Sequence, residues 1–245
     1  NKVVLITGAT SGIGEVSALA FAQEGAKVFF CGRRADLGKS VAAKIKTAGG
    51  EATYFQADVL KEGEVEAFIK ACVTKYGRID IAFNNAGKMD QAKIFHHATA
   101  SDWDSSMNTN ARGVFLSMKY ELDQMLKQNV GTILNMASYG GHRVIKNQAV
   151  YVASKHAIVG LTRAAALEYG FLRINSISPG FINIGVGEAY SKTAKNNPQE
   201  LAFVVAEGRP GDVEEVTNAV LWLCSDEASY VHGADFCVDG GITWG

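Results

Sequence analysis

The chain has 245 residues, 47% of them hydrophobic and 20% charged, with a formal net charge of −1. That length suits a single α/β domain, and the composition is that of a globular chain with a large core. Nothing resembles the basic stripe that nucleic acid requires, and no apolar run approaches the ~18 residues needed to span a bilayer, so neither nucleic acid nor membrane is expected as a partner.

The first predicted strand, Val3–Ile6, runs into Thr7-Gly8-Ala9-Thr10-Ser11-Gly12-Ile13-Gly14, and a helix-period segment, Gly14–Glu24, follows and stops at Gly25. Glycines let a backbone approach a phosphate closely, and a helix N-terminus offers free N–H groups with a partial positive charge. The spacing is G-x-x-x-G-x-G rather than the more familiar G-x-G-x-x-G. Next come a strand at Lys27–Cys31 and a helix at Leu37–Thr47, with Asp36 at the N-cap position and Gly49-Gly50 as the stop. Ala52–Gln56 (strand), Glu62–Tyr76 (helix) and Ile79–Phe83 (strand) lead to Asn84-Asn85-Ala86-Gly87, a turn by composition. A long helix is predicted over Ser101–Lys127, then a strand at Gly131–Asn135, a helix at Tyr151–Glu168 and a strand at Arg173–Ile177. The stretch Gly180 to Gly208 is polar and weakly periodic, and a mobile lid within about 181–208 is expected. Asp212 sits where an N-cap belongs before the helix Val213–Cys224, and Asp235–Val238 closes the series. Short apolar runs alternating with helical periods predict an α/β fold: one domain, residues 1–245, with a doubly wound, parallel, seven-stranded sheet.

Tyr151 and Lys155 share one helix face, with Cβ atoms about 5–6 Å apart. An ammonium so close favours phenolate over phenol, which lowers the tyrosine pKa and makes an acid/base for use near neutral pH. The plainer alternative is a half-buried tyrosine beside a snorkelling lysine. Cys31, Cys72, Cys224 and Cys237 are far apart with no C-x-x-C pair, and His96, His97, His142, His156 and His232 form no ligand set. No metal is expected. Reduced, mostly buried thiols and the lack of a signal peptide before the first strand predict a cytoplasmic protein.

Thr7 to Gly14, Asp58-Val59, Asn84 to Gly87, Asn110, Ser138, Tyr151/Lys155 and Pro179-Gly180 occur in one order, with Ser138 thirteen residues before Tyr151. In this the chain resembles the compact, single-domain type of short-chain dehydrogenase/reductase, from Lys2 to about Gly241. The resemblance implies a Rossmann-type oxidoreductase that transfers a hydride between a nicotinamide dinucleotide and an alcohol or ketone, most often secondary. Tyr151 is then the general acid/base, Ser138 a donor to the substrate oxygen, and Lys155 a partner of Tyr151 and of the nicotinamide ribose. Asn110 would bind a water that relays protons to Lys155. The cofactor would lie on Gly8, Thr10, Ser11, Gly12, Ile13 and Gly14, on Val59, on Asn85, Ala86 and Gly87, and on Pro179, Gly180 and Ile182. Asp58 either accepts from the adenine amino group or caps a helix. Tyr139 and His142 are candidate substrate contacts; for His142 a role away from the pocket is the alternative.

Two departures stand out. Ile184 replaces the threonine that holds the carboxamide in relatives, which leaves Asn183 or backbone groups for that task. The link Glu168 to Arg173 is about two residues shorter than in relatives, through a tight connection or missing residues. About 20 residues beyond the glycine-rich turn, Cys31-Gly32-Arg33-Arg34 has glycine where NAD-using relatives carry aspartate. NADP(H) is therefore expected over NAD(H), with Arg33 as the principal discriminator and Arg34 beside it; solvated arginines, or Asp36 reaching the ribose, are the alternatives. A dehydratase or epimerase is disfavoured by chain length, and an enoyl reductase by the Tyr/Lys spacing. A dinucleotide-sensing scaffold without catalysis is the competing class. The resemblance also implies a homo-tetramer, pairing its long helices about one twofold axis and its last helix and strand about another.

Overall fold

Apolar side chains in the first two strands alternate between two cores. Val3 and Leu5 of β1 (Val3–Thr7) pack on one side, Val4 and Ile6 on the other; Phe29 and Cys31 against Val28 and Phe30 repeat this in β2 (Lys27–Gly32). Burial on both faces is what a parallel sheet between helical layers demands. The computed structural model describes residues 1–184 and 205–244, so most of the expected lid lies outside the described residues. Among these, β3 (Glu51–Gln56), β4 (Ile81–Asn84), β5 (Thr132–Met136), β6 (Arg173–Pro179) and β7 (Asp235–Val238) complete one seven-stranded sheet, ordered β3-β2-β1-β4-β5-β6-β7. Every neighbouring pair is parallel.

The helices divide between the two faces. Phe21 of α1 (Gly12–Gln23), Val41 and Ile45 of α2 (Ala35–Thr47), and Val216 and Val220 of α7 (Val213–Cys224) join the Val4/Ile6 core. Phe68 and Cys72 of α3 (Glu62–Tyr76), Met118 of α5 (Gly113–Gln128) and Ile158 of α6 (Ala149–Glu168) join the other. Between α4 (Ala100–Ser106) and α5, residues Met107–Arg112 form a π-helical segment. The single predicted helix is thus a helix with a wide turn, a device common at functional sites.

Three local expectations change or resolve. Arg34 takes the N-cap position of α2, and Asp36 falls in the first turn, where its charge still suits the positive helix end. Asp212 does start α7, with its N–H donating to Glu215 Oε2 at 2.8 Å. The short link after α6 is a tight connection: Tyr169 N–H returns to Ala165 O and Leu172 N–H to Tyr169 O, and β6 begins at the next residue. No helix of the described residues is long and apolar enough to cross a membrane.

The chain turns outward from β1 to β3 and then returns to β4 on the opposite side of β1. Connections diverge there, and a crevice opens beyond the carboxyl ends of the strands. Thr7 pairs in register with Asn84, so the glycine-rich turn and Asn85-Ala86-Gly87 leave the sheet side by side.

Candidate active site

Gly8 is fixed by its neighbours. Its φ of +71° is left-handed, and a Cβ there would lie 2.7 Å from Ala86 Cα. Asn85 Nδ2 donates to Thr7 O and Gly8 O at 3.2 and 3.0 Å, and Ala86 N–H donates to Thr7 Oγ1 at 3.1 Å. The two turns are one hydrogen-bonded body forming a wall of the crevice, a cavity of about 430 Å³.

Nearly all the expected cofactor residues line it: Gly8, Thr10, Ser11, Gly12 and Ile13; Arg33 and Arg34; Asp58 and Val59; Asn85 to Gly87; Pro179, Gly180 and Ile182. Gly14 is the exception. A Cβ there would run into Asn85 Nδ2 and, at 2.6 Å, Gly8 O, so its role is packing behind the turn. Asp58 Oδ1 accepts from Leu60 N–H at 3.1 Å, while Lys61 takes the N-cap position of α3; Asp58 therefore shapes a local turn and faces the crevice without capping the helix. Arg34 Nη2 donates to Thr10 Oγ1 at 3.1 Å and Ser11 Oγ at 2.5 Å, whereas the Arg33 carbonyl accepts from Gln56 Nε2 at 3.1 Å. Asp36 is exposed and outside the lining, as is Asn183, while Ile184 faces the crevice.

At the far end Ser138, Tyr139, Tyr151 and Lys155 converge. Ser138 leads a short turn, Tyr139–Gly141, that leaves the end of β5, and its Oγ accepts from Gly140 N–H at 3.1 Å and hydrogen-bonds the Tyr151 hydroxyl. Lys155 lies one turn along α6 from Tyr151; its Nζ sits 5.7 Å from the Tyr151 ring centroid and donates to Met136 O at 2.9 Å. Asn110 is fully buried behind the crevice in the π-helical segment. Its Nδ2 donates to Lys88 O at 3.0 Å and Ser154 Oγ at 2.9 Å, and its Oδ1 accepts from Lys88 N–H at 2.9 Å. Asn110 Oδ1 and Lys155 Nζ converge on Gly87, where a Cβ would meet them at 3.3 and 3.6 Å.

The electrostatics correct the reading from spacing alone. Burial pushes the Tyr151 phenol above its ordinary range, opposed by the hydrogen bond from Ser138, and burial pulls Lys155 down to about 8. Both groups lose water together, and Lys155 Nζ is turned onto a backbone carbonyl, so desolvation outweighs the ammonium's pull on the phenol.

His142 takes the alternative role. It does not line the crevice; its Nε2 contacts the Asp235 carboxylate, which also accepts from Ser178 Oγ at 2.6 Å. The ligand atoms of His142, Asp235 and Cys237 lie within 4.8 Å of one another, a grouping invisible to local spacing. Thr109, Met136 and Phe181 also line the crevice and were not anticipated; for Met136, its place at the end of a strand was the available signal.

Comparison with known proteins gives the same picture. A family model described as enoyl-(acyl carrier protein) reductase matches residues 8–243. The cyclohexanol dehydrogenase of Acinetobacter sp. (strain SE19) is 37% identical over 99% of this chain and 95% of its own. The levodione reductase of Leifsonia aquatica is 40% identical over 98% of this chain and 94% of its own. A crystal structure of an actinorhodin polyketide ketoreductase with NADPH superposes with a TM-score of 0.94 at 31% identity, covering 100% of this chain and 98% of that one. With its parallel seven-stranded sheet, its glycine-rich first turn and relatives matched end to end, the chain belongs to the short-chain dehydrogenase/reductase family.

Proposed function

We propose that this protein interconverts a secondary alcohol and its ketone using NADP(H) in preference to NAD(H). The observation that carries the reading is the convergence of Ser138, Tyr151 and Lys155 at one end of a crevice whose other end is the glycine-rich turn with Arg33 and Arg34. The activities named for the cyclohexanol dehydrogenase and the levodione reductase support an alcohol or ketone as substrate. The enoyl reductase in the family model's description is disfavoured here by the four-residue separation of Tyr151 and Lys155.

When bound, the nicotinamide dinucleotide supplies the hydride chemistry that no side chain can perform. The crevice suits such a group: Gly8 holds backbone against backbone, Gly12 has nothing within 4 Å of where its Cβ would lie, and α1 starts there with N–H groups for a pyrophosphate. Asp58 and Val59 would flank the adenine, Lys155 would hold the ribose hydroxyls, and the backbone near Ile182 and Ile184 would serve the carboxamide.

Charge develops on the carbonyl oxygen as the ketone is reduced. Tyr151, held as a phenol by burial, gives that oxygen its proton, and Ser138 Oγ donates a hydrogen bond where the charge appears. Lys155, with its pKa near 8, exchanges a proton close to neutral pH and reloads the tyrosine through the site that Asn110 frames. Gly32 offers no carboxylate to repel a 2′-phosphate, and an arginine fork can hold one through paired charged hydrogen bonds. Exposed Trp103 on α4, Phe115 and Leu126 on α5 and Leu167 on α6, and Trp222 tilted against Phe236 at 5.6 Å, support a tetramer of twofold symmetry.

A panel of ketones assayed by cofactor absorbance, with NADPH and NADH in parallel, tests the reading. Turnover with a higher kcat/KM for NADPH is expected. Nucleotide binding without turnover of any ketone would favour a sensing role instead, and a higher kcat/KM for NADH would remove the cofactor preference.

A further inference from the structure

Positions 10 and 32 compete for one volume. Gly32 ends β2, and a Cβ built on it would lie 2.5 Å from Thr10 Cγ2 and 3.1 Å from Thr10 Oγ1. Thr10 has little room to retreat. It is 5% exposed, its Oγ1 accepts from Arg34 Nη2 at 3.1 Å, and the adjacent Ala9 N–H is tied to Cys31 O at 3.1 Å. Any side chain at position 32 must displace a buried methyl group in a turn hydrogen-bonded to the strand that carries it.

The same threonine acts on the other side of the crevice mouth. Arg34 Nη2 is committed to Thr10 Oγ1 and to Ser11 Oγ, which orients a planar fork on an otherwise solvent-exposed side chain. We propose that Thr10 is a specificity-determining residue for the adenosine 2′ position: its methyl group bars a carboxylate from position 32, and its hydroxyl positions the Arg34 guanidinium for a 2′-phosphate. The two effects favour the same ligand. An acid at 32 would accept from a free 2′-hydroxyl and repel a 2′-phosphate, and the methyl forbids it, while the oriented cation attracts the phosphate. Among the two arginines, this makes Arg34 the one with a fixed geometry. The inference rests on the NADP(H) reading above.

Titration calorimetry with adenosine 2′,5′-bisphosphate and 5′-AMP, which differ only by the 2′-phosphate, tests it without turnover. Wild type should hold the bisphosphate about tenfold or more tighter. Thr10→Val keeps the bulk and removes the hydroxyl; it should weaken the bisphosphate about threefold to tenfold and leave 5′-AMP unchanged, as loss of one hydrogen bond to an exposed cation predicts. Thr10→Ser keeps the hydroxyl and should leave both affinities alone. Gly32→Asp should lower the melting temperature and weaken both ligands, and adding Thr10→Ser should restore the melting temperature and turn the preference to 5′-AMP. Equal weakening of both ligands by Thr10→Val, or a Gly32→Asp variant that already folds and prefers 5′-AMP as well as the double variant does, would overturn the role of Thr10. If Gly32→Asp fails to fold in both backgrounds, the Thr10→Val arm decides. Wild type holding the two fragments equally would overturn the NADP(H) reading itself, and this inference with it.

Discussion

Replacing Glu121 by Gln should stabilise the protein, and by more as the pH rises. Glu121 is fully buried in α5, beneath the strands that carry the crevice. Its Oε2 accepts from Asn84 Nδ2 at 2.9 Å; the same amide donates to Asn135 Oδ1 at 3.0 Å, and Asn135 Nδ2 donates to Thr162 Oγ1 at 2.9 Å. Burial pushes the carboxyl from 4.5 up to about 8, opposed only by the Asn84 hydrogen bond, with no cation involved. The native state therefore holds a proton that the unfolded chain releases. Stability is greatest below the unfolded value, falls as pH rises from there through the folded value, and levels off above it. At about 1.4 kcal/mol per pH unit, the cost is roughly 3 kcal/mol by pH 7 and about 5 kcal/mol above pH 8. Glutamine has nearly the same shape, never ionises, and brings a donor to a cluster where Asn84 Oδ1 and Glu121 Oε1 have no partner among the described residues. Thermal unfolding followed by circular dichroism should show no gap between the two proteins near pH 4.5 and a gap of about 6–12 °C at pH 7, for a chain of this size. Melting temperatures that run parallel over that range would refute the buried, neutral acid.

Four further outcomes follow from the site and the surface. Tyr151→Phe should cut turnover by about 10²–10⁴-fold while cofactor affinity, read by fluorescence titration, stays near wild type; retention of more than about a tenth of the activity would remove the acid/base role. Lys155→Ala should lower both turnover and cofactor affinity, and unchanged affinity would count against its ribose contact. Gly8→Ala forces a side chain onto left-handed backbone and against Ala86, so a loss of about 1–3 kcal/mol in stability is expected; denaturant unfolding indistinguishable from wild type would contradict that packing. Sedimentation at micromolar concentration should show a tetramer, and a lone species near 26 kDa would exclude one.

What the sequence made legible was whatever depends on short-range pattern. Apolar runs of strand length between helical periods predict the parallel sheet, because each strand must satisfy two cores at once, as Val3/Leu5 and Val4/Ile6 do. Motifs that leave the ends of adjacent strands, such as Thr7 to Gly14 and Asn85 to Gly87, meet because β1 and β4 pair in register. Contacts closed by the folded chain were out of reach. Nothing local to His142 announces Asp235, 93 residues on, and so a candidate pocket residue turns away into β7. Nothing local to Asn110 announces a π-helical turn; a helical period reads straight through Met107–Arg112, and only the packing shows the extra residue that swings Asn110 beneath Gly87.

The Tyr151/Lys155 pair shows where spacing stops being sufficient. Four residues on a helix fix proximity, but the sign of a pKa shift depends on what water is lost, which is a property of the whole site. Attraction between ammonium and phenolate lowers the tyrosine only while the ammonium is charged and faces the oxygen. Here Lys155 is drawn down to about 8 by burial; it stays mostly charged at neutral pH, but it turns that charge onto Met136 O rather than onto the phenol oxygen. Tyr151 accordingly rests as a proton donor, and the residues that favour its ionised form must do so from the substrate side: the Ser138 hydroxyl already bonds the phenol oxygen. A site built this way begins with the proton where ketone reduction needs it, on the group that gives it up. Oxidation must start from the less populated phenolate. The same burial that defeats the simple spacing argument thus keeps the proton on Tyr151 at rest, and the proton that accompanies hydride transfer in either direction must pass through that one hydroxyl.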